Sequence, residues 1–281
     1  MPYLPEKLPC SKAAFLHRGD LNGRLTVYLE IFKRLVMKRS PLAAGQRLRL
    51  LWVVPFLFCP VFTFAQSLNT LTPQEQSEGW KLLFDGTDLK GWHGYNSKPL
   101  SCWTARDGSI VLDQSLSKNW TDIVSDGEFS NFDLRLEWKI KPCGNSGIMF
   151  YVHEDPKYGN TFETGPEMQV VDRSCSGDSK ERLHRAGVLY DLIPVDTETV
   201  KEGGEWNRVE IKSDQGHLQL FLNGHKVIDT HLWDDHWRSL IAHSKFSSMP
   251  GFGTFKKGHI SFQGTEPDSE LWYRNIKIRE W

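Results

Sequence analysis

The sequence predicts an all-β protein built as a two-sheet jelly-roll β-sandwich. Three observations predict it. From residue 79 onward the chain is a series of a dozen or so short segments whose apolar and polar residues mostly alternate with a period of two. Turn signals such as ARDGS, LNGH and KKGH separate them. Only one stretch, 233–246, reads as helical, and no internal repeat interrupts the pattern. Many short strands with so little helix must bury their apolar faces against one another, which means two packed sheets.

The segments follow in order. GWKLLFDG (79–86) opens the domain, and a turn leads into LKGWHGY. CWTARDG, SIVLDQ and DIVSDGEF come next. FDLRLEWKIK places Phe132, Leu134, Leu136, Trp138 and Ile140 on one face and Asp133, Arg135, Glu137 and Lys139 on the other. It is a core-facing strand with no chemistry of its own. SGIMFYVHE, EMQVVD and AGVLYDLI follow, then WNRVEIKSD, HLQLFLNG and KVIDTHL. GHISFQG and LWYRNIKIREW close the chain.

The segment 1–65 is set apart from this pattern. Residues 50–65 form an apolar run without a charge, preceded by Lys38, Arg39, Arg47 and Arg49. Thr63 and Ala65 are small residues before Gln66. Basic region, apolar run and small-residue cleavage site read as a secretory signal peptide. Met37 opens a normal signal sequence, so residues 1–36 read as translated upstream of the true start. The expected mature chain is one domain, 66–281, periplasmic or secreted, with no membrane span.

Of the 34 basic and 35 acidic residues, 10 and 3 precede Gln66, leaving 24 against 32 and a formal charge of −8. An acidic surface argues against nucleic acid and anionic membranes as partners. Ten of the 11 Trp lie after Gln66, which suits both a large core and a cleft where rings stack on sugars. Three cysteines remain there, Cys102, Cys143 and Cys175, so at least one thiol is free. A hairpin pairing 146 with 172 sets 143 opposite 175, which makes a Cys143–Cys175 bridge feasible in an oxidising compartment. Oligomeric state is not legible.

The segment richest in chemistry is GPEMQVVD, 165–172. On a strand Glu167 and Gln169 share one face while Met168 and Val170 point to the core. A carboxylate beside an amide can move a proton and hold a hydroxyl or carbonyl. Asp172 joins them only if the strand bulges or ends there. A solvated sheet face also alternates polar residues without any function. The neighbourhood adds His184, Arg185, Tyr190 and Asp191 within HRAGVLYDLIP, and the turn GNSG with Asn145.

GWKLLFDGTDLKGW, GNSGIMFYV, PEMQVVD, AGVLYDLI, GEWNRVEI, LFLNGHKV, GHISFQ and WYRNIKIRE occur in that order. In this the chain resembles the 3-keto-disaccharide hydrolase domain family, over about residues 80–281. The resemblance implies a concanavalin A-like lectin or glucanase sandwich. It also implies a secreted carbohydrate enzyme of Bacteroidetes-like bacteria, acting on glycosides oxidised at C3 by a separate oxidoreductase. A C3 ketone acidifies the C2 proton. A base removes it, the enolate expels the C1 aglycone, and water adds to the enone. That chemistry needs a base, an electrophile for the enolate and an acid for the leaving oxygen.

On the matching motifs, Glu167 is the first choice for base or acid. Asp172, His184 and Tyr190 are candidates for the second proton transfer, and Lys245 for the enolate. Gln169, Asn145, Tyr190 and Gln263 are candidates for sugar contacts. Many relatives resemble QDHG where this chain has Gln263-Gly264-Thr265-Glu266; if that histidine touches substrate in the family, this chain lacks the contact. No cofactor is expected. A divalent cation on Glu167, Asp172 and His184 is chemically conceivable, though their spacing is not diagnostic. Two rival readings stay open: a retaining glucanase-like glycosidase using Glu167 and Asp172, and a non-catalytic sugar-binding module.

Overall fold

The computed structural model describes residues 67–117, 119–175, 177–264 and 270–281. The expected signal peptide, the upstream segment and its cleavage site lie outside the described residues. Among the described residues no helix is long and apolar enough to cross a membrane.

Two antiparallel sheets form the fold. The strands in chain order are β1 (Lys81–Leu82), β2 (Trp92–Gly94), β3 (Trp103–Arg106), β4 (Ser109–Leu112), β5 (Ile123–Phe129), β6 (Phe132–Ile140), β7 (Asn145–Val152), β8 (Glu167–Val171), β9 (Asn207–Asp214), β10 (His217–Leu222), β11 (His225–His231), β12 (Gly258–Phe262) and β13 (Leu271–Glu280). The larger sheet runs β11-β10-β9-β6-β13-β4-β3, with β1 on β13. The smaller runs β2-β5-β12-β7-β8. The two-sheet sandwich expected from the alternating pattern is what forms.

The core lies between the sheets. Every apolar residue predicted to face inward from β6 is buried there. At its centre an aromatic stack crosses the layers: Phe262 of β12 lies 3.9 Å from Tyr273 of β13 and 4.9 Å from Trp92 of β2, ring centre to ring centre. The Tyr273 hydroxyl lies 3.3 Å from Ser146 Oγ, and Ser146 donates to the Gln263 carbonyl at 2.8 Å. The core is thereby tied to the underside of β7 and β12.

Helix α1 (Pro73–Ser77) begins at a capping box between Thr72 and Glu75. Helix α2 (Asp235–Ala242) falls inside the predicted helical stretch. Asp234 caps it, accepting from the Trp237 N–H at 2.7 Å. A short 3-10 turn, Lys245–Ser248, follows.

Three expectations need correction. The segment 186–193 is not a regular strand. It touches the smaller sheet through one bridge, Met168↔Leu189, and then folds back on itself through Leu189↔Ile193. Gly187 and Asp191 take positive φ, +85° and +58°, which breaks an extended run. The β7–β8 hairpin pairs Asn145 with Val171 and Met149 with Glu167, two residues away from the expected register. The Cys143–Cys175 disulfide forms nonetheless, because both cysteines sit beyond the ladder in turns. Among the described residues the free thiol is Cys102, buried in the core. Lastly, the tryptophans do not gather in a cleft. Trp80, Trp92, Trp103, Trp138 and Trp237 are buried, while Trp206 and Trp272 stack with Lys139 and Arg274 on the larger sheet.

Candidate functional site

Opposed residues of antiparallel strands share a face, so the register lays out the outer surface of the smaller sheet row by row. One row reads His93, Val124, Ser261, Met149, Glu167. The inner row beside it reads Gly94, Ile123, Phe262, Ile148, Met168, which is core. Glu167 and Gln169 therefore point outward from β8, as the alternation predicts, and Met168 and Val170 enter the core.

Opposite Gln169 on β7 stands Gly147. A Cβ built there would meet Glu167 Oε1 at 1.9 Å. The Glu167 side chain thus leaves its own strand and lies across β7, and only glycine leaves room for it. Glu167 is 7% exposed and Gln169 2% exposed. The Gln169 side-chain oxygen accepts from the Val170 N–H at 3.1 Å, which leaves its NH₂ as the donor end of the amide.

Beyond β8 the backbone of Tyr190 donates to the Glu167 carbonyl at 2.9 Å. Around it a second group of predicted residues gathers. His184 stacks on the Tyr190 ring at 4.4 Å, and Lys245 Nζ lies 4.0 Å from that ring's centre. Asp191 joins them, its Oδ1 3.4 Å from His184 Nε2 and its Oδ2 accepting from the Lys245 N–H at 3.1 Å. The 186–193 segment and the turn after α2 are so fastened side by side, next to Glu167. Tyr190 also packs against the main core, so part of its role is structural.

On the other flank Gln263 continues β12. Its N–H donates to the Gly147 carbonyl at 3.0 Å, and its side chain is half-buried. Asn145 begins β7 two residues before Gly147. Both border the strip where Glu167 lies.

Asp172 does not join this group, and its expected share in proton transfer or metal binding is corrected. Strand β8 ends at Val171. The Asp172 carboxylate instead accepts from the N–H groups of Cys143 at 2.8 Å and Gly203 at 3.0 Å, and from Ser174 Oγ at 2.5 Å. Burial disfavours its charge, but these bonds outweigh it and hold the carboxyl below the usual range. The donor atoms of Cys143, Asp172 and Cys175 lie within 4.8 Å of one another, yet the disulfide removes both thiolates. The cluster is a structural knot rather than a metal centre, and the conceivable Glu167–Asp172–His184 cation site loses its middle ligand.

Sequence reasoning passed over Asp122. The Ile123↔Phe262 pairing, continued one residue, sets it opposite Gln263. The second outer row is then Tyr95, Asp122, Gln263, Gly147, Gln169. Asp122 Oδ1 accepts from the Gly264 N–H at 2.8 Å, and Oδ2 accepts from the Thr161 hydroxyl. Thr161 Oγ1 also lies 3.0 Å from Met149 Sδ. Burial pushes the Asp122 carboxyl up. Its only sequence signal was a place one residue before an apolar strand.

A groove of about 780 Å³ lies elsewhere, on the outer face of the larger sheet. Arg135, Glu137, Arg208, Glu210, Phe221 and Arg274 line it, and none of the predicted site residues does. Its charges are already paired: Glu137 takes Arg208 at 3.1 Å and Arg274 at 2.8 Å. The chemistry gathers on the smaller sheet instead.

Comparison with known proteins matches residues 79–279 to the model of the 3-keto-alpha-glucoside-1,2-lyase-like domain. The chain belongs to this family. A 3-keto-disaccharide hydrolase of Bacteroides thetaiotaomicron is 30% identical over 240 residues, 76% of this chain and 83% of that protein. A crystal structure from Parabacteroides distasonis, provisionally described as a glycosyl hydrolase, shares 32% identity and superposes with a TM-score of 0.71. The match covers 76% of this chain and all (100%) of that one. A second from the same organism, described likewise, is 26% identical with a TM-score of 0.55, covering 72% and 99%. These relatives support a carbohydrate-acting hydrolase, and they agree with the sandwich built from the strands.

Proposed function

We propose that the protein cleaves 3-keto-glycosides, 3-keto-disaccharides among them, with Glu167 as the base that removes the C2 proton. The observation that carries the reading is the Glu167 carboxylate lying across Gly147 on an outward sheet face, with Gln169 paired opposite that glycine. The name of the 30%-identical relative supplies the substrate class.

In this reading the ketone stands at C3 of the sugar. Glu167 takes the C2 proton, and charge develops on the C3 oxygen. Donors aimed at that oxygen lower the barrier most. Gln169 is placed for this, with Gln263 and Asn145 at the border of the same strip. The C1–O bond then breaks, the aglycone oxygen takes a proton, and a 2-hydroxy enone remains. Water adds its hydroxyl to C1 while C2 regains a proton, which completes net hydrolysis. Lys245, His184 and Tyr190 gather beyond the β8 edge, where Lys245 adds positive charge. No cofactor enters the scheme. The apolar run 50–65 with its basic flank acts as the signal peptide, so the reaction takes place in the periplasm or outside the cell.

The test is incubation with 3-keto-trehalose and trehalose side by side, read by mass spectrometry. Cleavage of the keto sugar alone is expected, falling at least about 10²-fold in Glu167→Gln. Binding without cleavage by the wild type would make the protein a sugar-binding module. Equal cleavage of plain trehalose would make it an ordinary glycosidase.

A further inference from the structure

We infer that Asp122 is the acid that protonates the departing glycosidic oxygen, opposite Glu167. This rests on the reading above and completes it, because elimination needs a second proton-transfer group and Asp172 is committed elsewhere.

The register carries the argument. Asp122, Gln263, Gly147 and Gln169 stand in one outward row. Glu167 extends from β8 over Gly147. Strands β7 and β5 are separated only by β12, so their axes are about 10 Å apart. The reach of the Asp122 side chain shortens that span. A base on the C2 hydrogen and an acid on the C1 oxygen need roughly 6–8 Å between carboxyls, two hydrogen bonds plus the sugar atoms between them. Inverting glycosidases hold their carboxyls at a comparable separation of about 6.5–9.5 Å to attack from opposite sides. Between the two acids lie Gly147, which has no side chain, and Gln263, an amide suited to a sugar hydroxyl.

Asp122 also has the environment of an acid. Burial favours its protonated form, opposed by the Thr161 hydroxyl, the Gly264 N–H and the more distant Lys98. Each carboxyl oxygen is held by one partner and keeps a second lone-pair position. Trp120, 37% exposed and two residues earlier, brings an aromatic ring to this end of β5, of the kind on which a departing sugar stacks.

The proton balance closes. Glu167 gains the C2 proton while Asp122 gives its proton to the leaving oxygen as C1–O breaks. In the second half Asp122, now ionised, takes a proton from water as its oxygen bonds to C1. Glu167 returns its proton to C2, and both carboxyls are reset.

A general acid is needed for a poor leaving group and dispensable for a good one. The experiment compares wild type and Asp122→Asn on 3-keto-trehalose and on 4-nitrophenyl 3-keto-α-glucoside, whose phenolate leaves unaided. Asparagine can still accept from Gly264 N–H and bond Thr161, so the fold is kept, and activity on the nitrophenyl substrate reports this directly. Expected is a loss of about 10²–10⁴-fold on 3-keto-trehalose and less than about 10-fold on the nitrophenyl substrate. An equal loss on both, or none on either, overturns the assignment while leaving the proposed reaction standing. A wild type inactive on both overturns the proposed reaction and this assignment with it.

Discussion

Gly147 shows how much one atom can decide here. Every other residue type carries a Cβ, and at this position it would stand 1.9 Å from Glu167 Oε1. Gly147→Ala must therefore push the carboxylate off β7. Side chains with two rotatable bonds beyond Cβ can swing away, so the expected stability cost is modest, about 1–3 kcal/mol. Activity is the sensitive readout. Displacement of a reacting group by about 1 Å costs on the order of 10²-fold. Steady-state kinetics should show kcat on 3-keto-trehalose falling by that much with KM little changed. Unaltered kcat would mean that Glu167 does not act from the position it occupies over β7. Asp172 makes the complementary point. Its sequence place beside Glu167 and Gln169 suggested chemistry, but two backbone N–H groups and Ser174 had prior claim on its carboxylate.

At the scale of elements, the far edge of the smaller sheet is held by charge. His93 of β2 bonds Asp126 of β5 through Nδ1 at 2.7 Å and Glu154 through Nε2 at 2.9 Å. Glu154 in turn accepts from the Asn96 N–H at 2.5 Å, beside the start of the second outer row. His259 of β12 approaches the same group, 3.7 Å from Glu154 and 3.8 Å from Glu128, while its Nδ1 bonds the Ser125 carbonyl. Burial works against a charge on His93, but the two carboxylates outweigh it and raise its pKa. A histidine with a raised folded pKa stabilises fully below its unfolded value of about 6.5 and loses that contribution as pH rises through the folded value. Lys257 faces the same edge, its Nζ 3.7 Å from Glu128. The denaturation midpoint of His93→Gln should thus fall furthest below wild type near pH 5.5, the gap narrowing towards pH 8.5. A gap independent of pH in urea titrations would show that His93 serves the edge by packing alone.

For the whole molecule, the question is which of two faces works. The larger sheet has the groove, the tryptophan–cation stacks and most of the ion pairs, while the smaller sheet has Glu167 over Gly147. Arg208 is 79% exposed, and its pairing with Glu137 is a surface contact worth at most about 1 kcal/mol. Replacing Arg208 and Phe221 together by alanine should then leave kcat/KM on the keto sugar within about twofold, since nothing that touches substrate is altered. A tenfold loss in the same assay would move the binding surface to the larger sheet. The two faces share one core, through Phe262, Tyr273 and Ser146, so a change in that stack should reach the site where changes in the groove do not.

Period-two alternation was enough to determine the sandwich, the inward face of β6 and the outward pair Glu167 and Gln169, because strand geometry fixes which side a residue faces. The helix at 235–242 falls within the stretch where the alternation fails, and the Asp234 cap that starts it appears only in the structure. Alternation does not say which strands are neighbours. The order β5-β12-β7-β8 joins residues 122, 147, 167 and 263 in adjoining rows, across separations that no local pattern encodes. Hence Asp122 went unread, and the β7–β8 register was misjudged by two residues. The fate of each polar group was likewise tertiary: Asp172 was met by the N–H groups of Cys143 and Gly203 at the end of β8, whereas Asp122 was met by the Gly264 N–H and the Thr161 hydroxyl in the row that holds Gln263 and Gly147.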